Sequence, residues 1–234
     1  MREICFDTET TGFNPYTGDR LVEIGAVEII NKKRTGKVFH KYINPERDVP
    51  ESAVNVHGIT NEFLADKPVF SEIAQEWIDF VGDDNLIAHN AIDFDMKFIN
   101  YELKKAGYNE YDSDRFIDTL IIARNMFPGA RNSLDALCKR FNIDNSARTV
   151  HGALLDAELL ADVYLQLSGG DEPSINFNKT DNNIVIGGEI IFGSEKILTP
   201  RDFNISEKEN QAHIEFMEKH LKTPIWLREN KKDD

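Results

Sequence analysis

The chain has 234 residues, 41% of them hydrophobic and 10% aromatic, and a formal net charge of −14. That apolar content excludes a disordered chain, and no run of about 18 apolar residues is present to cross a membrane as a helix. The acidic balance excludes nucleic-acid binding through bulk electrostatics; a nucleic-acid substrate would need divalent metal, local Lys or Arg, or a tether to a partner.

In chain order, residues 2–7 read as a first strand that runs into Asp7-Thr8-Glu9. Residues i and i+2 of a strand point to the same side, so Asp7 and Glu9 project together from its end. Carboxylates held that close raise each other's pKa and call for a cation between them; two surface acids on an edge strand are the plainer alternative. Residues 21–30 and 36–43 read as further strands joined through the polar turn 31–35, which completes an antiparallel meander. After a loop at Asn44–Arg47, Ile73, Trp77, Ile78 and Val81 recur at helical spacing, with Ser71 as the expected N-cap. A short buried strand at 85–88 precedes a helix from about Phe94 to Ala106, which Gly107 stops. Phe116-Ile117 is another short strand. Asp118 caps a helix through Met126, broken by Pro128-Gly129, and Ser133 caps one carrying Leu134, Leu137, Cys138 and Phe141. The last helix of the domain runs from Gly152 to Leu167 and ends at Gly169-Gly170. This order predicts an α/β layered domain with a mixed sheet, three antiparallel strands plus short parallel ones. Cys5 falls in a strand and Cys138 in a helix, so no disulfide framework is expected. With a strand in place of a secretory signal at the N-terminus, the expected location is cytoplasmic.

Composition changes after Gly170. Residues 171–195 read as a polar linker, within which 184–192 could form a small hairpin on a Gly-Gly turn. A helix then starts near Ser206, where Ser206 and Glu209 match a capping box. His213, Phe216, Met217, His220 and Leu221 make one amphipathic stripe, and its place after a linker favours a partner-binding segment over a helix packed on the domain.

Helical phase sharpens the reading of the acids. In the last domain helix, Glu158, Asp162 and Gln166 mark an exposed face, whereas Asp156 shares a face with Leu159, Leu160 and Val163. A lone carboxylate there is costly unless an Arg, a backbone donor or a metal satisfies it. His151 precedes this helix and could swing over a site that Asp156 lines. Likewise Asp95 shares a face with Phe98, Ile99 and Ala106, whereas Asp93 sits with Lys97, Asn100 and Lys104, so Asp95 is expected buried and Asp93 solvated.

Asp7-Thr8-Glu9-Thr10-Thr11-Gly12, His89-Asn90-Ala91 with Phe94-Asp95, and His151-Gly152-Ala153-Leu154-Leu155-Asp156 resemble the three motifs of the DEDDh 3′–5′ exonuclease family. Within it the match is closest to the proofreading subunits of bacterial replicative DNA polymerases. Val56–Thr60, Asp118–Leu120 with Ala123-Arg124, and Asn132–Cys138 are similar too. The resemblance implies a ribonuclease H-like exonuclease fold over residues 1–170 with a C-terminal extension. It implies that Asp7, Glu9, Asp95 and Asp156 bind two Mg²⁺ or Mn²⁺ ions, a hard-oxygen set suited to phosphodiester hydrolysis. It implies that His151 is the general base, since imidazole ionises near neutral pH, and that a nucleoside 5′-monophosphate leaves from the DNA 3′ end. Thr8, Thr10 and Phe13, with His57, His89 and Asn90, would line the terminal-nucleotide pocket; for Thr10 and Thr11, a hydroxyl bonding the turn backbone is an equally available role. In one place the sequence departs from the family: the second-motif Asp usually follows its His by five residues, but position 94 is Phe. Asp95 is chosen over Asp93 because it keeps the register of the following helix. Residues 172–177 are similar to a sliding-clamp-binding peptide, with Glu where Gln is typical. Residues 196–234 look like the tail that binds the polymerase's catalytic (alpha) subunit, so a replisome-associated place on the nucleoid is implied. The rival readings are an RNA 3′ exonuclease, RNase T-like or oligoribonuclease-like, and an inactive exonuclease-fold binding module; the latter should have lost a ligand or the His, and none is lost.

Overall fold

The computed structural model describes residues 1–148, 150–169, 184–186, 189–192 and 206–220. The chain divides into two units, Met1–Ser174 and Ile175–Asp234.

In the first unit, β1 (Arg2–Thr10), β2 (Leu21–Ile30) and β3 (Lys33–Tyr42) form the expected meander. The β2–β3 turn is tighter than the sequence suggests. It consists of Asn31 and Lys32 alone, both at positive φ (50° and 62°), the handedness that a two-residue hairpin requires. The residues expected to extend the turn, 33–35, belong to β3. Two short strands, β4 (Asn85–Ala88) and β5 (Phe116–Asp118), add in parallel to the other side of β1. The sheet order is β3-β2-β1-β4-β5, a mixed five-stranded sheet flanked by helices.

Period-2 alternation along β1 divides the interior. Ile4 and Phe6 face a large core with Trp77 and Phe98, whereas Cys5 faces a smaller one with Val27, Ile87, Ala161 and Tyr164. The first core is closed by α3 (Phe70–Val81) and α4 (Asp95–Lys105), the second by α7 (Ala153–Leu167). Against α7 pack α5 (Thr119–Met126), capped by the Asp118 carboxylate, and α6 (Leu134–Phe141), capped by the Ser133 hydroxyl, both at the expected positions. The cap of α3 differs: the helix begins two residues earlier, after Val69, whose N–H donates to the Glu72 carboxylate at 3.0 Å. Ser71 therefore lies inside the first turn. Two helices in the segment after the Asn44–Arg47 loop show no periodicity in the sequence: α1 (Glu51–His57) and α2 (Asn61–Leu64). They are too short for a 3.6-residue repeat to register. Cys5 and Cys138 are buried free thiols.

In the second unit, β6 (Ile184–Ile186) and β7 (Glu189–Phe192) pair antiparallel. The expected capping box opens α8 (Glu207–His220): the Glu209 N–H donates to the Ser206 hydroxyl, and the Ser206 N–H to the Glu209 carboxylate. Residues 172–177 and the tail after 220 lie outside the described residues. Among the described residues no helix is long and apolar enough to cross a membrane.

Candidate active site

The site forms where β1 ends. Asp7 and Glu9 share the face of Cys5, toward α7, while Thr8 points to the other face, toward α4. The register across β2 explains how α7 comes so close. Asp7 pairs with Gly25 and Glu9 with Glu23. A Cβ at Gly25 would fall inside the backbone of Ala153 and Leu154, so the missing side chain is what lets the first turn of α7 sit on the sheet beside Asp7. Glu23 fixes the same turn: its carboxylate accepts the Ala153 N–H at 3.1 Å and lies 2.7 Å from His40 Nε2. An anion on the first free N–H groups of a helix is stabilising. One turn on, this seating delivers Asp156, which is 2% exposed.

Asp95 arrives from the opposite face. It is the first residue of α4, 2% exposed, and accepts a 2.7 Å hydrogen bond from the Thr8 hydroxyl. Asp93 is 78% exposed and pairs with Lys97 one turn along. The loop before α4 is shaped by Asp118, whose carboxylate accepts the N–H groups of Asn90 and Ile92. Asn90 adopts a left-handed φ of 74°, a conformation Asn tolerates better than other non-Gly residues. The His89 ring is fixed by Thr119, 2.9 Å from its Nδ1.

Burial, then neighbouring carboxylates, push the pKa values of Asp7, Glu9 and Asp95 upward. Asp7 is held well above the usual carboxylate range by burial and by Asp95, Glu9 and Asp156. Glu9 is raised to about 8 by burial and by Asp156, Glu23 and Asp95. Asp95 is raised to about 7, chiefly by burial and against the Thr8 hydrogen bond. Such a cluster is stable as anions when a cation shares it. Its hard oxygen donors, converging from both faces of the sheet, fit a hard divalent cation. Ligand atoms of Glu9, His151 and Asp156 lie within 4.8 Å of one another.

A cavity of about 340 Å³ opens over these groups, lined by Asp7, Thr8, Glu9, Thr10, Phe13, His57, His89, Asn90, Asp95 and His151. Every residue expected at the site from the sequence lines it except Asp156, which adjoins it behind His151, with Nδ1 to Oδ2 at 3.3 Å. Phe13 is 89% exposed at the rim. His57 is buried; its Nδ1 accepts the Ile59 N–H at 3.0 Å, so its proton sits on Nε2, which has no partner among the described residues. The Thr10 and Thr11 hydroxyls take the turn role: Thr10 donates to the Gly12 carbonyl at 2.5 Å, and Thr11 accepts the Arg20 N–H at 3.0 Å. The sequence reading missed Ser52, Ala53 and Val56, which α1 presents to the cavity, and Phe94. It also missed that the Val56 carbonyl accepts the His151 N–H at 3.2 Å and that Arg148 grips Asp156. The quoted Val56-His57-Gly58 segment was the available signal for α1; none marked Arg148.

Clustered carboxylates at a strand end beside a histidine, in a ribonuclease H-like sheet, define a metal-dependent nuclease. The exonuclease family model matches residues 4–164. The DNA polymerase III subunit epsilon of Rickettsia prowazekii is 50% identical over 227 residues, 94% of this chain and 97% of that protein. That of Escherichia coli K12 is 51% identical over 176 residues, 72% of each chain. Among solved structures, exonuclease X in complex with 5′ overhanging duplex DNA superposes with a TM-score of 0.54 at 26% identity, over 71% of this chain and 89% of that one. Escherichia coli exonuclease I with a dT13 oligonucleotide gives 0.61 at 18% identity over 72% and 41%, a likeness of fold. The chain belongs to the exonuclease family and, within it, to the DNA polymerase III epsilon subunits.

Proposed function

We infer that this chain is a 3′–5′ exonuclease that removes nucleoside 5′-monophosphates from DNA 3′ ends as the proofreading subunit of a replicative DNA polymerase. The observation that carries the reading is the convergence of Asp7, Glu9, Asp95 and Asp156, from three separate segments, with His151 at one cavity, in a chain half identical to epsilon subunits over nearly its whole length.

Asp7, Glu9, Asp95 and Asp156 would hold two divalent ions, Mg²⁺ or Mn²⁺. When bound, such ions supply Lewis acidity and clamp the attacking and leaving oxygens of a phosphodiester. His151, at the cavity wall, takes the proton from the attacking water. Thr8 orients Asp95 through its hydroxyl. Phe13 offers an exposed ring on which a terminal base can stack, and His57 lines the same cavity, where the terminal sugar or phosphate would lie. His89 and Asn90 close the far wall, and Thr10 shapes the turn that carries Phe13. Beyond the domain, residues 171–195 act as a linker, 172–177 bind the sliding clamp, and 196–234 bind the polymerase's alpha subunit.

The test is release of the 3′-terminal nucleotide from labelled single-stranded DNA with Mg²⁺, Mn²⁺ or EDTA. Release should require the metal and fall by about 10²-fold or more in Asp7→Ala, the scale on which metal sites respond to lost support. Metal-independent release would overturn the reading. A matched RNA oligonucleotide, which adds the 2′-hydroxyl, should be the poorer substrate; faster RNA cleavage would move the chain to the rival RNA exonuclease reading.

A further inference from the structure

Arg148 lies in the loop between α6 and α7, with a side chain only 9% exposed. Every nitrogen of its guanidinium has a partner. Nε donates to Asp156 Oδ1 at 2.6 Å, and one terminal nitrogen donates to Asp156 Oδ2 at 2.8 Å. That same nitrogen is 2.8 Å from His151 Nδ1. The other terminal nitrogen donates to Asp135 Oδ1 at 2.8 Å, on α6. A guanidinium is always a donor, so Nδ1 of His151 accepts, and the neutral ring then carries its proton on Nε2. Both oxygens of Asp156 sit in a planar fork, the strongest grip a side chain exerts on a carboxylate. The positive charge also acts on Asp7 and Glu9. Arg148 is therefore the fixed counter-ion of the acidic cage, at the edge where Glu9, His151 and Asp156 come together.

We propose that Arg148 is a positioning residue that competes with a divalent cation for Asp156: it holds Asp156 and His151 in a closed arrangement and yields the fork when the cation binds. Two cations on one buried carboxylate repel at short range. Asp135, with a side chain 58% exposed, remains as the pivot on which the guanidinium swings out. The same movement frees His151 Nδ1, so cation entry and release of the base are a single event. A guanidinium that only orients Asp156 from behind would instead strengthen cation binding, as outer-shell partners of metal ligands do. The two roles predict opposite signs.

This inference rests on the reading of the four acids as a divalent-ion cage, and the experiment separates the two. Full-length wild type, Arg148→Gln and Arg148→Lys are titrated calorimetrically with MnCl₂, and their thermal unfolding is followed in EDTA and in saturating Mn²⁺. Arg148→Gln should bind Mn²⁺ about tenfold tighter, because the competing positive charge is gone, and should unfold at lower temperature than wild type in EDTA but not in Mn²⁺. Arg148→Lys keeps a charge without the fork and should bind several-fold tighter; it carries the test if Arg148→Gln does not fold. Unchanged or weaker Mn²⁺ binding in the variants would overturn the competition. Absence of Mn²⁺ binding in wild type would overturn the cage reading and the inference with it.

Discussion

Asp93 and Asp95 are two residues apart and meet opposite fates. Asp95 is buried and bonded by Thr8, whereas Asp93 is solvated and paired with Lys97. Asp95→Asn should therefore abolish nucleotide release, by about 10²-fold or more, while Asp93→Asn, which loses only an exposed ion pair, keeps most of it. A labelled-DNA assay decides, and the reverse order would refute the assignment. The raised acids also set a pH dependence. With Glu9 at about 8 and Asp7 higher than usual, the folded cation-free protein retains protons that the unfolded chain has already released, so stability falls as pH rises. His57 and His89, whose pKa values burial lowers, act in the opposite direction, but only below the ordinary histidine pKa of about 6.5. Between about pH 7 and 8 the acids govern. In EDTA the melting temperature should decline across that window, Glu9→Gln should flatten the decline, and saturating Mn²⁺ should remove it. A flat profile in wild-type protein in EDTA would contradict the raised carboxylates.

At the scale of elements, the contact between β2 and α7 decides whether a site exists. Gly25 sits opposite Asp7 and under Ala153-Leu154, so Gly25→Ala must lift the N-terminal turn of α7 and carry Asp156 away from Asp7. Overpacking of this kind costs about 1–3 kcal/mol, measurable by chemical denaturation, and divalent-ion binding should weaken in parallel. Retained Mn²⁺ affinity would show that α7 is not seated through this glycine. The contact also shows which parts of the molecule are legible in the sequence. Burial of Asp95 and Asp156 follows from helical phase, and projection of Asp7 with Glu9 from strand alternation; both are local repeats. The roles of Gly25, Glu23 and Arg148 depend on cross-strand register and on loop-to-helix contacts, which no local period encodes. Helices α1 and α2 escaped for a different reason: seven and four residues give less than two full turns in which a period can appear, and α1 has no side-chain cap. Yet α1 carries Val56, which anchors His151, so the unread element is part of the site.

The whole molecule poses an electrostatic problem, since a chain of net charge −14 must meet a polyanion. Beside the catalytic cavity, a cleft lined by His89, Asn90, Arg124 and Asn132 offers one guanidinium to an approaching strand, far short of the several phosphate contacts that sustain affinity at physiological salt. Local concentration must then come from elsewhere. A short flexible tether to a polymerase already on the primer supplies millimolar effective concentration and raises apparent affinity by about 10²–10⁴-fold without new contacts. If residues 171–234 provide that tether, removing them should leave turnover of a short single-stranded oligonucleotide near the wild-type value, because the four acids, His151 and the cavity lie within Met1–Ser174. Co-elution with the polymerase's catalytic subunit should be lost, and release at primer ends in the reconstituted mixture should fall by about 10²-fold or more. Added salt should speed the truncated chain more than the tethered one, because only the truncated chain depends on diffusional encounter against like charge, which salt screens. Retained co-elution after the deletion would place the polymerase contact on the nuclease domain itself.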